Sequence, residues 1–466
     1  MNLSPMQQPR LVISGLSGGS GKTLVSLGLS RLFTGHGLAV QACKKGPDYI
    51  DYAWLALAAR RPAACLDPYF LDDEALLRQL TAISRSRPSD VAVIEGNRGL
   101  FDGRDVDGSC STAHVARVLQ APVVLTMNCA KMTRTAAAIV SGIARFDPEL
   151  HLSGVILNNV AGERHGSMLR QAIERYTDIP VLGILPRLRK NPLPERHMGL
   201  SLDAADHTVH AVLDTLADLV RDNIDWEQVL ELSRQSPELP DIPAATPTFS
   251  ERAEDRPRIG YVHDRALWFY YEENLEALRA AGADLVRLDL FDPAPWPELD
   301  GLYLGGGYPE LFAEEISASR HLEDIRHLSL TGRPVYAECG GFMLLCDALV
   351  LDRGPMPMAS LLPARARFFS RPQGLGYVTV HVVAENPFHP LGSEWRGHEF
   401  HYSRCEWPQG AEPVCCLELA PGTGMYEKHG RHYDGLLTRR TFGCWTHLFA
   451  PAVPHWARNF VDACRS

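Results

Sequence analysis

Cys339 lies where a short apolar run meets two glycines, in the stretch PVYAECGGFML. A strand that turns sharply into a helix at such a residue exposes a nucleophile at the edge of a sheet. The N-terminus of the following helix would lower the pKa of the thiol and favour the thiolate. The pattern therefore predicts a nucleophilic cysteine. The alternative is a buried structural cysteine, and most of the other ten of the 11 cysteines are expected to be of that kind.

Two features elsewhere in the second half could assist such a thiol. The apolar run GLYL leads into Gly305, Gly306 and Gly307, and a turn of glycines can present backbone N–H groups to a tetrahedral oxyanion. Near the C-terminus, GCWTHLF places His447 in a strand-like setting. A nucleophilic cysteine needs a base that is close in space and not necessarily in sequence. Spacing alone does not select His447 among the 18 histidines.

The first half begins with a phosphate-loop pattern, LSGGSGKT, between the apolar run LVIS and the helix-like TLVSLGLSRLF. Loops of this kind turn backbone N–H groups toward phosphate oxygens at a helix N-terminus. Lys22 would reach the β- and γ-phosphates, and the Thr23 hydroxyl would bind Mg²⁺. Leu16 stands where the usual pattern has its first glycine, and a glycine-rich helix cap is the alternative. The predicted ATP-binding residues are Gly18, Gly19, Ser20, Gly21, Lys22 and Thr23.

Acidic residues follow two further strand-like runs of the first half. Glu95 ends VAVIE, and Asp48 belongs to KGPDYID after LAVQACK. The carboxyl ends of parallel strands line the crevice where open α/β sheets bind ligands, and carboxylates there can bind Mg²⁺ directly or through water. Each acid alone is equally compatible with a solvated turn. Together with the phosphate loop they predict an Mg·ATP site that also holds an acidic substrate.

Composition and pattern predict two successive α/β domains. Apolar runs alternate with helix-like segments in residues 1–235 and again in 258–466, where strands are expected to dominate from about residue 360. Residues 236–257 hold five prolines and are predicted to be a linker, with a long surface loop as the alternative. A net charge of −10 argues against nucleic-acid binding. No signal peptide or membrane-length apolar run is evident, so a cytoplasmic protein is expected.

Several motifs, in order, resemble a known family. The glycine turn, AECGG and the late histidine resemble class I glutamine amidotransferases. Their cobyrinate/cobyrate-synthase branch is indicated by KGPDYID, EGNRGLFDG, ILNNV, LGILPR, YYEENLEAL, DGLYLGGGYPELFAEE, YAECGGFM and GHEFHYS. The resemblance covers nearly the whole chain. It implies an N-terminal parallel-sheet domain of the P-loop, dethiobiotin-synthetase-like kind, followed by a class I glutamine amidotransferase-like α/β domain.

The resemblance also implies roles for individual residues. Cys339 would be the glutaminase nucleophile and His447 its base, with Gly306 and Gly307 in the oxyanion hole. The implied metal ligands are Thr23, Asp48 and Glu95. The implied substrate-binding residues are Asp48, Tyr49, His398, Glu399 and His401. Ordinary class I amidotransferases carry a glutamate two residues after the histidine; here that position is Phe449, so the group that orients His447 is unassigned.

The implied reaction uses ATP and glutamine to amidate the a- and c-acetate carboxylates of cobyrinic acid through an acyl phosphate, with ammonia passing from one domain to the other. The acceptor alternatives are hydrogenobyrinate and a nickel-sirohydrochlorin acid. A different class of protein, a partition-type nucleotide switch with a degenerate amidotransferase domain, is the further alternative. Ser17 argues against it because it replaces the signature lysine of such switches. The oligomeric state is left open, with a homodimer among the options.

Overall fold

The structure is a computed structural model that describes residues 6–189, 192–193, 207–240, 256–410 and 412–466. The chain divides into two compact units. Among the described residues, the first unit ends at residue 240 and the second begins at residue 256. Within those same ranges, no helix combines the length and the apolar character needed to cross a membrane.

A seven-stranded sheet forms the centre of the first unit. Its strands are β1 (Arg10–Gly15), β2 (Val40–Lys44), β3 (Ala64–Cys65), β4 (Val91–Glu95), β5 (Val123–Asn128), β6 (Leu152–Val160) and β7 (Val181–Pro186). All neighbours pair in parallel, in the order β3-β2-β4-β1-β5-β6-β7. The central strands are buried along their length, which explains why they are continuous runs of Val, Ile and Leu instead of alternating patterns.

Helices lie between successive strands of this sheet, and the last two helices follow β7. They are α1 (Lys22–Gly35), α2 (Tyr49–Ala59), α3 (Asp73–Ser86), α4 (Thr112–Val118), α5 (Thr135–Phe146), α6 (Glu163–Tyr176), α7 (His207–Asn223) and α8 (Trp226–Ser233). Strand order reverses around β1, with β4 on one side and β5 on the other. Because parallel strands end at the same edge, the segments after β1, β2 and β4 meet at this switch point, where open sheets bind ligands.

The start of the predicted linker packs on the first unit. The Ser236 hydroxyl accepts a hydrogen bond from the Arg10 N–H (3.3 Å) and donates one to the Gln8 carbonyl (3.2 Å). The Leu239 N–H donates to the Met6 carbonyl at 2.9 Å. Residues 241–255 lie outside the described residues, so the linker stays a prediction for that stretch.

The second unit is richer in strands. They are β8 (Arg258–Val262), β9 (Leu267–Phe269), β10 (Asp284–Leu288), β11 (Gly301–Leu304), β12 (Gly306–Gly307), β13 (Val335–Glu338), β14 (Cys346–Leu351), β15 (Gly354–Pro357), β16 (Leu362–Phe368), β17 (Gly374–Val382), β18 (Glu394–His401), β19 (Ser403–Glu406), β20 (Cys415–Leu419), β21 (Tyr426–Lys428), β22 (Arg431–Thr438), β23 (Thr441–Cys444) and β24 (His447–Leu448). The helices are α9 (Glu272–Ala280), α10 (Ala313–Ala318), α11 (His321–Leu330), α12 (Gly340–Leu345) and α13 (Pro454–Arg465), with 3₁₀ segments at Pro309–Phe312 and Ala450–Ala452.

The main sheet of this unit has 11 strands and two parts. Strands β10-β8-β11-β13-β23 are parallel, and the path continues antiparallel through β22, β20, β17 and β18 to β24, while β21 pairs with β22. Only two residues separate β23, in the middle of the sheet, from β24, at its end. The last strand in the order therefore lies close to the middle strands. This arrangement brings His447 back toward the strand that carries the cysteine.

Side chains alternate across the parallel part of the second unit. Tyr303 and Tyr336 face one apolar cluster, together with Trp456, whereas Leu304 and Ala337 face the other. Both faces are therefore covered, as a parallel sheet requires. The predicted α/β class, with a parallel-sheet domain first and a second α/β domain after it, is confirmed.

Candidate active sites

The predicted phosphate loop joins β1 to α1 in the first unit. Gly21, with φ of 102°, caps the helix in a conformation that favours glycine. A Cβ on Gly21 would also lie 2.4 Å from Nδ2 of Asn158, and that amide donates to the Ser20 carbonyl at 3.1 Å. At Gly18 a Cβ would meet no protein atom within 4 Å. The loop is thus fixed at its base by Asn158 and open at its tip.

Lys22 spans this loop. Its ammonium donates to the Ser17 carbonyl at 2.9 Å and to the Arg98 carbonyl at 2.6 Å. Arg98 follows β4, so the lysine links the segments after two neighbouring strands. A cation held across the mouth of an open loop of backbone N–H groups is an arrangement that binds a phosphate chain.

A buried charged cluster lies beside the loop. Lys44, at the end of β2, contacts Asp51 Oδ2 at 2.7 Å and Glu95 Oε1 at 2.9 Å, and its side chain is 2% exposed. Burial lowers the pKa of Lys44, but the carboxylates of Asp51, Glu95 and Asp48 outweigh it and hold the pKa above its usual range. Thr23 Oγ1 donates to Glu95 Oε1 at 2.7 Å, which connects the cluster to the phosphate loop.

Glu95 and Thr23 fit a magnesium site. Glu95 is completely buried, and among the residues that the structure describes its Oε2 has no hydrogen-bond partner. Mg²⁺ in nucleotide sites is commonly held by one or two protein oxygens, with phosphates and water supplying the rest. A larger protein cage is not needed, and the described ranges contain no group of three or more His, Cys, Asp or Glu that would form one.

Asp48 and Tyr49 stand at the start of α2. One carboxylate oxygen of Asp48 accepts the N–H groups of Ile50 (3.1 Å) and Asp51 (3.0 Å), so this residue caps the helix. Tyr49 is the first residue of the helix and is buried. Their predicted metal and substrate roles stay predictions. Sequence reasoning missed Lys44 and the pairing of Asp51, although both lie in the stretch that drew attention to Asp48.

Cys339 forms a sharp turn between β13 and α12 in the second unit. Its φ of 46° and ψ of −104° are unfavourable for a residue with a side chain, and strain of this kind costs about 1–3 kcal/mol. The backbone N–H donates to the Cys444 carbonyl (2.7 Å), and the thiol donates to the Phe400 carbonyl on β18 (3.4 Å). The strand, strained turn and helix have the geometry expected of a nucleophile elbow.

The prediction that the following helix lowers the pKa of the Cys339 thiol is wrong. The side chain is 4% exposed, and burial raises the pKa of Cys339, with the charges of Glu310, Glu338 and Asp434 adding to the increase. The Gly340 N–H at the start of α12 lowers the pKa of the thiol, but burial outweighs it. In the protein without substrate the site therefore favours the neutral thiol, and thiolate formation needs a base.

The glycine strand β12 lies between the cysteine turn and His447. The Gly341 N–H donates to the Gly305 carbonyl at 2.9 Å, and a Cβ on Gly340 would lie 2.8 Å from the Gly307 nitrogen. A Cβ on Gly306 would lie 2.5 Å from Cε1 of His447. No larger residue fits between these elements without a shift, so the predicted oxyanion glycines are brought to the predicted nucleophile and base.

His447 is held between two strands. It pairs with His398 of β18, and the two rings stack with centroids 5.0 Å apart. Its Nδ1 lies 3.1 Å from Oε2 of Glu338, the last residue of β13, and neither side chain is exposed. Burial raises the pKa of Glu338, an effect that His447 opposes. Sequence reasoning missed Glu338 although AECGG contains it; the signal was an acid at the end of a fully apolar strand.

The three predicted substrate residues of β18 also lie in the second unit. Burial, and to a lesser degree His447, holds the pKa of His398 well below its usual range. Glu399 accepts the N–H groups of Thr423 and Gly424, both at 2.7 Å. His401 contacts Glu399 at 3.3 Å and stacks on Trp445.

Burial alone would raise the pKa of Glu399, but His401 and the two N–H groups hold it below its usual range. The same strand contacts the Cys339 thiol through the Phe400 carbonyl and pairs with His447. All three side chains are buried, and their substrate role stays a prediction.

Two family models match successive parts of the chain. Residues 11–200 match the model of the CobQ/CobB/MinD/ParA nucleotide-binding domain, and residues 258–453 match that of the CobB/CobQ-like glutamine amidotransferase domain. The cobyrinate a,c-diamide synthase of Magnetococcus marinus is 39% identical over 97% of this chain and 96% of its own. That of Syntrophotalea carbinolica is 39% identical over 99% of both chains. That of Archaeoglobus fulgidus is 38% identical over 99% of this chain and 98% of its own.

Identity at this level over nearly full length is decisive for the family. The chain therefore belongs to the family of the cobyrinate a,c-diamide synthases, glutamine-hydrolysing carbon–nitrogen ligases that join a nucleotide-binding domain to a CobB/CobQ-like glutamine amidotransferase domain.

Proposed function

We propose that this protein uses ATP and glutamine to amidate the a- and c-acetate carboxylates of cobyrinic acid. One observation carries the proposal. A buried cysteine–histidine site and a phosphate-loop site with a buried carboxylate occur in one chain, and that chain is related over nearly its whole length to cobyrinate a,c-diamide synthases.

The first unit would activate the carboxylate. A substrate carboxylate oxygen attacks the γ-phosphorus of ATP, which forms an acyl phosphate and releases ADP. Lys22 and the backbone N–H groups of residues 17–22 offset the charge that develops on the phosphate oxygens. Thr23 and Glu95 would hold Mg²⁺, which supplies further positive charge to the phosphates. Oε2 of Glu95 has no hydrogen-bond partner in the described part of the chain, which supports this assignment.

The second unit would supply ammonia. His447 removes the proton of the Cys339 thiol, and the thiolate attacks the side-chain amide carbon of glutamine. Backbone N–H groups around Gly306 and Gly307 stabilise the oxyanion. The imidazolium then gives its proton to the departing nitrogen, and ammonia and a γ-glutamyl thioester result. Water, deprotonated by the same histidine, hydrolyses the thioester to glutamate and regenerates the thiol.

The two half-reactions combine in the amide. Ammonia attacks the acyl phosphate carbon, the C–O bond to phosphate breaks, and inorganic phosphate and one proton leave. One ATP and one glutamine are consumed for each amide, so a diamide requires two rounds. A homodimer and a cytoplasmic location are compatible with this scheme but are not needed for it.

The acceptor can be tested directly. The purified protein is incubated with ATP, Mg²⁺ and glutamine, and with cobyrinate, hydrogenobyrinate or the nickel-sirohydrochlorin acid, and products are identified by mass spectrometry. We expect two successive conversions of carboxyl to amide on cobyrinate, none without ATP, and clearly higher kcat/KM than on the other two acceptors. A preference for another acceptor would overturn the assignment of the substrate. ATP hydrolysis without any amide product would favour a nucleotide switch instead.

A further inference from the structure

The base of the thiol site lacks the acid that ordinarily follows it in sequence. Phe449 occupies that position, and its ring packs against Tyr271, with centroids 5.2 Å apart. Phe449 therefore supplies no carboxylate to His447. A histidine base needs a partner for its second ring nitrogen, because that contact decides which nitrogen carries the proton.

Glu338 makes that contact from a different strand. Its Oε2 lies 3.1 Å from His447 Nδ1, and both side chains are fully buried. Because Glu338 directly precedes Cys339, the carboxylate and the nucleophile share one backbone turn. Any movement of that turn changes the positions of both groups relative to the histidine.

The second oxygen of this carboxylate belongs to a closed hydrogen-bond network. The Tyr303 hydroxyl donates to Glu338 Oε1 at 3.3 Å and accepts from Asn274 Nδ2 at 3.2 Å. Asn274 also donates to the Leu448 carbonyl (3.1 Å) and accepts from the Ala450 N–H (2.7 Å). The network therefore ties Glu338 to the backbone that immediately follows His447, so the position of the ring relative to the carboxylate is fixed from two directions.

We propose that Glu338 is the positioning residue for His447. Glu338 and Cys339 are adjacent in one turn, and the histidine faces both of them. This rests on the proposed glutaminase function. His447 donates its Nδ1–H to Glu338, which leaves Nε2 to accept the thiol proton. When that proton transfers, the carboxylate remains ionised and is paired with the imidazolium.

The surroundings make a pH experiment interpretable. The titratable groups that face Glu338 and His447 are Tyr270, Tyr303, Tyr336, Cys339, His398 and Cys444. Burial moves the pKa of each tyrosine upward and that of His398 downward, away from neutral pH. Glu310, whose pKa burial raises to about 7, also acts on Cys339, but it is the same in every variant. A difference in the acid limb between a variant and wild type therefore reports on the histidine and its partner.

Asp434 provides a matched control. It is also a buried carboxylate, but it accepts the N–H groups of Trp445 (3.0 Å) and Thr446 (2.9 Å) and the Thr446 hydroxyl (2.7 Å). It thus fixes the backbone that leads into His447 without contacting the ring through any hydrogen bond that the structure describes. Replacing it perturbs placement, whereas replacing Glu338 changes both the charge and the proton position of the ring.

The experiment measures glutamine hydrolysis against pH for wild type, Glu338→Gln, Glu338→Asp and Asp434→Asn. We expect Glu338→Gln to lower kcat by roughly 10²- to 10⁴-fold, as when a histidine loses its carboxylate partner. The acid limb should shift to lower pH, because a neutral amide no longer stabilises the imidazolium. Glu338→Asp should recover part of the rate and the original limb, and Asp434→Asn should lower the rate without shifting the limb.

Amide formation with ammonium as the nitrogen source and thermal unfolding establish that each variant is folded. A Glu338→Gln variant with unchanged kcat and unchanged limb would overturn the inference, and so would an equal shift in Asp434→Asn. If Glu338→Gln does not fold, Glu338→Asp decides: a wild-type rate and limb would contradict the inference, and a reduced rate with the limb retained would support it. A wild type that hydrolyses no glutamine would refute the proposed function itself.

Discussion

The two candidate sites use opposite electrostatic environments. In the first unit the phosphate loop is open at Gly18 and Gly19, and the charges beside it lie in direct ion pairs. In the second unit Cys339, His447 and Glu338 are buried together, with one carboxylate for one histidine. Phosphoryl transfer requires fixed charge around a large anion. Thiol chemistry requires control of a single proton, which water would disturb.

The two sites also differ in the kind of change that would inactivate them. A phosphate site is weakened strongly when one of its charges is removed, because the developing charge on the phosphate is then only partly offset. A buried proton-transfer site fails when its geometry changes, even if every charge is kept. Variants that remove one charge or displace one group distinguish these two kinds of failure.

Replacing the loop lysine should abolish only the phosphate chemistry. In Lys22→Met the carbonyls of Ser17 and Arg98 remain, but the ammonium that spans the loop is lost. We expect amide formation with either glutamine or ammonium to fall at least about 10²- to 10³-fold, as when a transition-state charge partner is removed. Glutamine hydrolysis measured without ATP or acceptor should stay near wild type. Ammonium-dependent amide formation at the wild-type rate would contradict the assignment of the loop.

Removing the buried ammonium of the first unit should destabilise it. Lys44→Met leaves Asp51 and Glu95 buried without their cation, which costs about 3–5 kcal/mol of unfolding free energy. Urea unfolding of the first unit measures this loss. The control is Arg78→Met, which removes an exposed ion pair with Glu74 and should cost about 0–1 kcal/mol. Equal effects of the two changes would show that the buried cluster is not the special feature we infer.

A purely geometric change should disable the second site. In Gly306→Ala the new Cβ would lie 2.5 Å from Cε1 of His447, so the ring or the glycine strand must move. We expect glutamine hydrolysis to fall about 10²-fold, the effect of an ångström-scale misplacement. Amide formation from ammonium serves as the internal control and should be unaffected. Retention of full glutaminase activity would mean that the glycine strand tolerates displacement.

The smallest expected effect concerns a charge near the thiol. Burial raises the pKa of Glu310 to about 7, and its carboxylate raises the pKa of Cys339. Above pH 7 this carboxylate is ionised and opposes the thiolate, so Glu310→Gln should lower the thiol pKa. We expect alkylation of Cys339 by iodoacetamide at pH 8 to accelerate by about twofold to tenfold, since one pKa unit is tenfold in thiolate fraction. Glu314→Gln, which removes an exposed ion pair with Arg353, should leave the rate unchanged.

Local patterns in the sequence were sufficient to predict the elements that depend only on neighbouring residues. The continuous apolar strands, the phosphate loop and the turn at Cys339 were all predicted, because strand burial, glycine turns and helix starts depend on neighbouring residues. The family resemblance supplied the role of His447, which spacing could not select. Its place beside Cys339 depends on the return of β24 to β18, a long-range pairing.

The features that were missed depend on contacts between distant segments. Glu338 and His447 lie 109 residues apart, and no local pattern indicates that they touch. The thiol pKa was predicted in the wrong direction because burial by other strands outweighs the short helix. The contact between Lys44 and Glu95 was also missed, because it joins two strands that are neighbours in the sheet but distant in sequence.

The central claim is that one chain contains two separable chemistries, ammonia release at Cys339 and carboxylate activation at the phosphate loop. The most direct test is Cys339→Ser, assayed with ATP and cobyrinate using either glutamine or ammonium chloride as the nitrogen source. We expect glutamine-dependent amide formation to disappear, while ammonium-dependent amide formation continues at the wild-type rate. Persistent glutamine-dependent amide formation, or loss of the ammonium-dependent reaction in a folded variant, would contradict the account.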